Sequence, residues 1–225
     1  MKIEFLYPEL TMYGDSFNVK YLSMCNSNIE VIETSIDKKP YFVSHKVDMV
    51  YLGSLSESSQ IAVINKLMPY KDRIQKLIDN NTIFFVTGTG LEIFGKSIKR
   101  NNKLIECLNI FDYETEYDYS SRYHDLYEGT FEDLKVIGFK CQFSKISNVK
   151  QEPLFKTIKG MGNNFDDVNE GIRFNNFMAS EVLGPLLIYN PLLVKKVLGL
   201  LGLKDDLKYE KDVLESYENK LKGYN

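Results

Sequence analysis

Short apolar runs alternate with amphipathic stretches through the first half of the chain. The runs predict strands at Lys2–Tyr7, Glu30–Ile36, Met49–Leu52 and Thr82–Val86. Strands separated by helical stretches are typical of βαβ units, in which helices cover the faces of a parallel sheet. The pattern therefore predicts an α/β fold with a central, mostly parallel sheet flanked by helices.

Helical periodicity is clearest between the third and fourth predicted strands. Apolar residues recur there at helical spacing: Ile61, Ile64, Leu67, Ile74, Leu77 and Ile78. They predict a helix from about Ser56 to Asn80. Pro69 is expected to kink or break this helix, because proline has no amide hydrogen and its ring clashes with the preceding turn. Nearer the N-terminus, Asp15 is expected to cap a helix that continues through Asn18–Met24.

The second half of the chain changes character. Its apolar runs predict strands of an antiparallel extension at Val136–Phe139, Phe143–Ser147, Leu154–Ile158 and Ile172–Phe177. The C-terminal part is predicted to be helical. Pro191 suits the first turn of one helix, and Leu207–Lys222 forms a second, charged one. Because the chain shows no internal repeat and no linker, we expect one domain over residues 1–225.

Composition excludes several classes of function. The 225 residues carry a net charge of -3 with no basic cluster among the aromatics, which argues against a nucleic-acid partner. No apolar run approaches membrane-spanning length, and the charged first run lacks the features of a signal peptide. The three Cys have neither disulfide nor metal spacing, which fits a reducing cytoplasm. We therefore expect a cytoplasmic protein with no cofactor, no metal and no membrane insertion.

Two segments carry the candidate chemistry. Phe84–Gly95 reads as an apolar strand, a Gly-rich turn and the start of a helix, and Leu183–Leu187 lies far downstream. Gly88 and Gly90 in the turn tolerate backbone angles that other residues avoid. An anion held by the amides of this turn is the functional alternative. No Gly-Lys-Ser/Thr follows, so the turn is not a P-loop.

Both segments resemble motifs of the class I glutamine amidotransferases of the cobyric-acid-synthase type, in particular the glutaminase subunits of lipid II isoglutaminyl synthase. The resemblance implies their flavodoxin-like fold. In that family the first segment carries a nucleophilic Cys, and the second carries a His before Gly-Pro-Leu-Leu. Gly88 and Leu183 stand at those positions here. The resemblance therefore implies an amidotransferase scaffold whose catalytic pair is replaced.

Other blocks of the family pattern are present with further departures. Asp48–Gly53 matches the strand before a Gly-Gly-Gly-Gln-Asp loop, which is here Gly53-Ser54-Leu55-Ser56-Glu57 with Gln60 in register. Since the family uses the amides of that loop at its glutaminase pocket, its oxyanion hole is in doubt here. Val136–Phe139 matches a segment that the family follows with Glu-Asn-His, where this chain has Lys140-Cys141-Gln142. The residues that would line a remnant pocket are Gly53, Ser54, Thr89, Gly90 and Glu181.

A relocated nucleophile is the enzymatic alternative. The candidates are Cys25, Cys107, Cys141, Thr87 and Thr89, and the His residues available as a base are His45 and His124. A thiolate or alkoxide needs such a base close by. Because no Cys falls at a strand-to-helix turn, each is expected to be a small structural residue.

The segment Asp112–Asp133 is unusually acidic and rich in tyrosine. One interpretation is a pair of edge strands or a solvated loop. The other is a recognition surface for a basic protein, since tyrosine is enriched at interface hot spots. The residues of that surface would be Tyr113, Tyr117, Tyr119, Tyr123 and Tyr127.

These expectations lead to three hypotheses. The first is a catalytically degenerate amidotransferase-like protein that scaffolds or regulates a Mur-ligase-like synthetase, the partner that the resemblance implies. The second is an active amidotransferase or hydrolase subunit with a relocated nucleophile. The third is a small-ligand binding domain that uses the remnant pocket.

Overall fold

The structure of the protein is a computed structural model that describes residues 1–224. Strands occupy β1 (Lys2–Leu6), β2 (Glu30–Thr34), β3 (Met49–Leu52), β4 (Ile83–Thr87), β5 (Ser97–Arg100), β6 (Lys103–Glu106), β7 (Glu114–Tyr117), β8 (Tyr123–Phe131), β9 (Leu134–Gln142), β10 (Ser144–Ser147), β11 (Phe155–Lys159), β12 (Asn169–Glu170), β13 (Ile172–Phe174) and β14 (Phe177–Ser180). The α-helices are α1 (Ser16–Cys25), α2 (Glu57–Leu67), α3 (Lys71–Asp79), α4 (Leu186–Tyr189), α5 (Pro191–Leu200) and α6 (Glu210–Tyr224). Short 3-10 helices cover Pro8–Leu10, Tyr41–Val43, Met68–Tyr70 and Gly88–Phe94.

A six-stranded central sheet has the order β13-β14-β4-β3-β1-β2. Its pairs from β14 to β2 are parallel, and β13 pairs antiparallel with β14. All residues of β3 and β4 are buried, as expected for strands covered by helices on both faces. The predicted α/β fold and its first four strands are confirmed. The single strand predicted over Ile172–Phe177 is wrong, because the chain reverses at Asn175 and Asn176 into a hairpin.

Two hydrophobic clusters lie on the two faces of this sheet. One contains the apolar faces of α2 and α3, and the other contains those of α1, α4 and α5. Pro69 lies in the 3-10 turn that separates α2 from α3, so the predicted break is confirmed. Pro191 occupies the first turn of α5, also as predicted. Within residues 1–224, no helix combines the length and hydrophobicity needed to cross a membrane.

The remaining strands form two four-stranded sheets, with the orders β10-β7-β5-β6 and β12-β11-β8-β9, which together make the extension. Their pairs are antiparallel except β5 with β7. The interpretation of Asp112–Asp133 as a pair of edge strands is wrong, since β7 and β8 each have a strand on both sides. The alternative of a solvated loop applies to residues 119–122 between these strands, which are exposed.

Candidate functional site

The Gly-rich turn forms a sharp elbow at the carboxyl end of β4. Thr87 ends the strand in extended conformation, and Gly88 follows with a φ of 58°. Residues with a Cβ rarely adopt this left-handed conformation, so glycine suits the position. The predicted helix after the turn is a 3-10 helix over Gly88–Phe94, and all of it except Thr89 is buried.

Leu183 lies directly beside Gly88. A Cβ built on Gly88 would be 2.9 Å from Leu183 Cδ2, and 2.5 Å from both Cβ and Oγ of Ser54. An antiparallel bridge to Phe139 holds Leu183 in place, with N–O distances of 2.8 and 3.1 Å. Leu183 is only 3% exposed. The structure thus brings Gly88 and Leu183 together, and the space between them is filled.

Backbone amides of the neighbouring loop are engaged inside the protein. The Ser54 amide donates to Asp15 Oδ2 at 3.0 Å, and the Leu55 amide donates to Thr89 Oγ1 at 2.8 Å. Thr89 Oγ1 donates in turn to the Leu55 carbonyl oxygen at 2.6 Å. A Cβ on Gly53 would meet Thr11 Cγ2 at 2.5 Å, so this loop is packed tightly. These amides are therefore not directed at an open pocket.

Asp15 anchors the base of the elbow. Its Oδ2 accepts a hydrogen bond from Thr87 Oγ1 at 2.7 Å, and Thr87 also bonds Tyr51 Oη at 2.9 Å. Burial raises the pKa of Asp15 to about 6. The expectation that Asp15 caps α1 is wrong in one respect. It holds the N-cap position without a side-chain cap bond, because its carboxyl turns toward Thr87 and Ser54.

Glu92 brings a buried carboxyl to the other side of the elbow. Gln60 Nε2 donates to it at 2.9 Å and Tyr117 Oη donates at 2.8 Å. Arg100 Nη2 lies 3.8 Å away, and the Arg100 guanidinium also covers the Tyr117 ring. Burial, followed by the charge of Glu181, raises the pKa of Glu92 to about 8. The contacts of Glu92 thus connect α2, the elbow segment and the sheet that contains β5 and β7.

Lys140 is fully buried and faces two carboxylates. Its Nζ donates to the Gly162 carbonyl oxygen at 2.6 Å and lies 3.5 Å from Glu170 and 3.6 Å from Glu181. Glu181 accepts further bonds from Gln142 Nε2 at 2.7 Å and Ser144 Oγ at 3.0 Å. Desolvation raises the pKa of Glu181, while Lys140 opposes that shift. Two residues that depart from the family pattern, Lys140 and Gln142, are therefore members of one internal network.

Glu181 was expected only as a lining residue of the remnant pocket, and its place beside Lys140 and Glu170 was not predicted. The available signal was Lys140, a charged residue inside an apolar strand. A buried lysine requires a carboxylate partner, so its position predicts that an acidic residue elsewhere in the chain is buried beside it.

A family model described as the CobB/CobQ-like glutamine amidotransferase domain matches residues 4–187. The chain belongs to this family. It is similar to the protein of Streptococcus pneumoniae (strain ATCC BAA-255 / R6) named lipid II isoglutaminyl synthase (glutamine-hydrolyzing) subunit GatD, with 25% identity over 232 residues, 97% of this chain and 86% of that protein. The protein of the same name from Staphylococcus aureus (strain N315) is 23% identical over 189 residues, 83% of this chain and 77% of that protein.

The fold also matches a solved structure described as a glutamine amidotransferase, with a TM-score of 0.60 at 14% identity over 89% of this chain and 99% of that chain. The expected family and the class I amidotransferase-like fold are both confirmed. The likeness in structure concerns the fold alone.

None of the cysteine and histidine residues of this family member occupies the elbow itself. Cys25 ends α1, Cys107 follows β6 and Cys141 lies within β9. Burial raises the pKa of Cys107 to about 12, which disfavours a thiolate there. His45 and His124 are exposed, and His45 stacks on Tyr41. Among residues 1–224, no group of three or more His, Cys, Asp or Glu side chains is placed to hold a metal ion.

Three of the five tyrosines assigned to a recognition surface are buried. Tyr113 Oη donates to the Leu91 carbonyl oxygen at 2.6 Å, Tyr117 bonds Glu92, and Tyr127 bonds Thr157 at 3.3 Å. Tyr117 and Tyr127 lie within β7 and β8, and Tyr113 directly precedes β7. All three side chains are buried, so their assignment to a surface is wrong. Tyr119 is exposed and Tyr123 is partly exposed.

Proposed function

We propose that this chain is a catalytically silent glutamine amidotransferase-like protein that acts as a scaffold or regulatory partner of a Mur-ligase-like amidating synthetase in the cytoplasm. Membership of the CobB/CobQ-like family and similarity to subunits named for lipid II isoglutaminyl synthase support the partner role. The observation that carries the loss of chemistry is the elbow. Gly88 offers no nucleophile, and Ser54 and Leu183 occupy the place where a side chain would begin.

Two alternatives have less support. A relocated nucleophile needs a base within hydrogen-bond reach. Thr87 does donate to the Asp15 carboxylate, but both side chains are fully buried, so no substrate can reach them. Thr89 Oγ1 is bonded to the Leu55 carbonyl oxygen instead of a base. A ligand in the remnant pocket needs open space. Gly53, Ser54 and Gly90 are buried there, and only Thr89 is partly exposed.

We expect the purified protein to release no ammonia from glutamine. Loss of a nucleophile and its base lowers turnover by about 10⁶ in comparable triads. Ammonia release and labelling by a glutamine-analogue alkylator are measured beside the Streptococcus pneumoniae isoglutaminyl synthase as the active control. Covalent labelling of any residue, or turnover that approaches the control, contradicts the proposal.

The partner role is tested separately by mixing the protein with the Mur-ligase-like synthetase encoded in the same genome. We expect a complex that elutes as one species and an altered amidation rate with supplied ammonia. A synthetase that neither binds nor responds would leave the protein without this role, whatever the outcome of the glutaminase assay.

A further inference from the structure

The strand β2 ends the central sheet on one side and has an open edge. Among residues 1–224 it pairs with β1 alone. The Glu30 amide donates to the Met1 carbonyl oxygen at 2.8 Å, so the peptide groups of Glu30 face β1. Because these groups alternate in direction along a strand, those of Val31 and Glu33 are directed away from β1. Such an edge offers unpaired amides and carbonyls to a further strand.

The helix α1 exposes an apolar stripe beside this edge. Phe17 is 48% exposed and Met24 is 43% exposed. Lys20 lies between them, and the spacing of three and four residues places all three on one face of the helix. Phe17 and Lys20 line a groove of about 320 Å³ together with Val31 and Glu33. We call Phe17, Lys20 and Met24, together with β2, the edge surface.

Two opposite charges on the edge surface have no ionic partner within the described part of the chain. Lys20 Nζ lies over the Phe17 ring, 5.4 Å from its centroid. The salt bridges of residues 1–224 include neither Lys20 nor Glu33, and both side chains are exposed. A surface with one unpaired lysine and one unpaired glutamate is complementary in charge to a second copy of itself across a two-fold axis.

We propose that the edge surface is a homodimer interface in which β2 pairs antiparallel with β2 of a second copy. Pairing centred on Ile32 puts Val31 opposite Glu33 of the second copy, so the outward peptide groups of both strands meet. Glu30 then faces Thr34, and no carboxylate faces another. This inference is independent of the proposed function, and its failure would leave the partner role untouched.

The same pairing brings the two copies of α1 together. The helix packs over β1 and β2 in the hydrophobic cluster on that face of the sheet. With strands about 4.8 Å apart, the two helices lie roughly 10 Å apart across the axis, a distance at which helices pack. Phe17 and Met24 of the two stripes can then cover each other. Lys20 of each copy lies near Glu33 of the other, so the ion pair forms twice.

Analytical ultracentrifugation of the full chain, from about 1 μM to about 500 μM, measures the assembly. We expect a reversible monomer–dimer equilibrium with a dissociation constant below about 100 μM. Lys20→Glu and Glu33→Lys should each raise this constant at least about tenfold, because each repulsive contact occurs twice in the symmetric dimer. The double variant Lys20→Glu/Glu33→Lys restores opposite charges, and we expect its dissociation constant to lie within about threefold of that of the unmodified chain.

Lys76→Glu is the matched control for the charge reversals. Lys76 is an exposed lysine of α3, on the opposite face of the central sheet, and the substitution changes the net charge as Lys20→Glu does. We expect it to change the dissociation constant less than about twofold. Circular dichroism verifies that all variants are folded.

Amide hydrogen exchange tests the strand pairing without any substitution. In the dimer the outward amides of Val31 and Glu33 gain acceptors, whereas the Glu30 amide is bonded to Met1 in monomer and dimer alike. Between dilute and concentrated protein, we expect exchange at Val31 and Glu33 to slow at least about tenfold. Exchange at Glu30 should change less than about twofold.

The proposal is overturned if the chain stays monomeric over the whole concentration range. A dimer that both single charge reversals leave unchanged also overturns it, as does a dimer in which the Val31 and Glu33 amides exchange as fast as in the monomer. If these amides are protected only when the Mur-ligase-like synthetase is added, the edge surface belongs to that partner and the homodimer is refuted.

Discussion

Gly88 shows how one residue couples backbone geometry to the loss of chemistry. A side chain there meets Ser54 and Leu183 at less than 3 Å, and the backbone φ of 58° adds strain. We expect Gly88→Ala to lower the free energy of unfolding by about 2 kcal/mol, from overpacking and left-handed strain together. Urea unfolding followed by circular dichroism measures this loss. In a Ser54→Gly background the loss should be smaller, and an equal loss in both backgrounds would refute contact with Ser54 as a cause.

The crowding around Gly88 also affects whether glutaminase activity can be restored by substitution. We expect Gly88→Cys with Leu183→His to show no ordinary glutaminase turnover. The cysteine would press against Ser54, and the amides of Ser54 and Leu55 are already bonded to Asp15 and Thr89. Catalytic groups act together, so a partly restored set is weak. Ammonia release by the folded double variant measures the outcome, and turnover like that of the Streptococcus pneumoniae enzyme would show that the remaining machinery is intact.

Glu92 makes stability depend on pH. Its pKa rises from 4.5, the ordinary value of a free glutamate side chain, to about 8 in the folded protein, so the folded state holds a proton that the unfolded chain has released. Stability therefore falls as pH rises from about 4.5 to about 8, by at most about 1.4 kcal/mol per pH unit from this group. Asp15 has a pKa of about 6, so its effect on the pH dependence of stability falls mainly below pH 6. Burial also raises the pKa of Glu181 and of Glu4, so the contribution of Glu92 between about pH 6.5 and about pH 8 has to be isolated by substitution.

We expect Glu92→Gln, which imitates the protonated carboxyl, to flatten the fall in unfolding free energy over this interval. Exposed Glu116→Gln is the control, since Glu116 pairs only with Lys99 at the surface. Urea unfolding at half-unit steps of pH measures both variants. A slope in Glu92→Gln as steep as that of the unmodified protein would show that another group holds the proton.

At the scale of the element, the segment around β7 shows that similar tyrosines serve different purposes. The hydroxyls of Tyr113, just before β7, and of Tyr117, at its end, are bonded inside the protein, whereas Tyr119 in the following loop is exposed. We expect Tyr113→Phe and Tyr117→Phe each to lower the free energy of unfolding by about 1–3 kcal/mol. The first leaves the buried Leu91 carbonyl oxygen without this donor, and the second removes one of the donors to the buried Glu92 carboxyl. Tyr119→Phe should change the free energy of unfolding by less than about 0.5 kcal/mol. Equal thermal shifts for all three variants would contradict this division.

An element could be predicted from the sequence where its signal is local. Strands such as β3 and β4 are continuous apolar runs, and the helix break at Pro69 is a local property of proline. The segment that contains β7 and β8 mixes tyrosine with charged residues, a composition that suits a surface as well as a half-buried strand. The pairing with β5, β10, β9 and β11 decides which residues are covered. Likewise, the family resemblance picked out Gly88 and Leu183 as the replaced catalytic pair, whereas the contact of Lys140 with Glu181 depends on tertiary packing.

At the scale of the whole molecule, burial is uneven along the chain. The central strands lie between two hydrophobic clusters, whereas α6 lies beyond the part matched by the family model and buries chiefly Tyr217. The Tyr217 hydroxyl donates to the Lys135 carbonyl oxygen at 2.7 Å, and an exposed pair between Lys195 and Glu210 adds little. Val213 of α6 also packs against the cluster that contains α5. Attachment of α6 therefore depends on a small apolar contact around Tyr217 and Val213.

We expect α6 to open locally without unfolding of the rest. Amide hydrogen exchange should give α6 an opening free energy at least about 2 kcal/mol below that of β3 and β4, because elements with little buried apolar surface open first. Tyr217→Ala should lower the protection of α6 further and leave the central strands nearly unchanged. Lys195→Ala is the control, since the exposed pair that it removes contributes at most about 1 kcal/mol. If α6 and β4 exchange with one common free energy, and Tyr217→Ala lowers both equally, then the C-terminal helix is part of the cooperative core and not an attached segment.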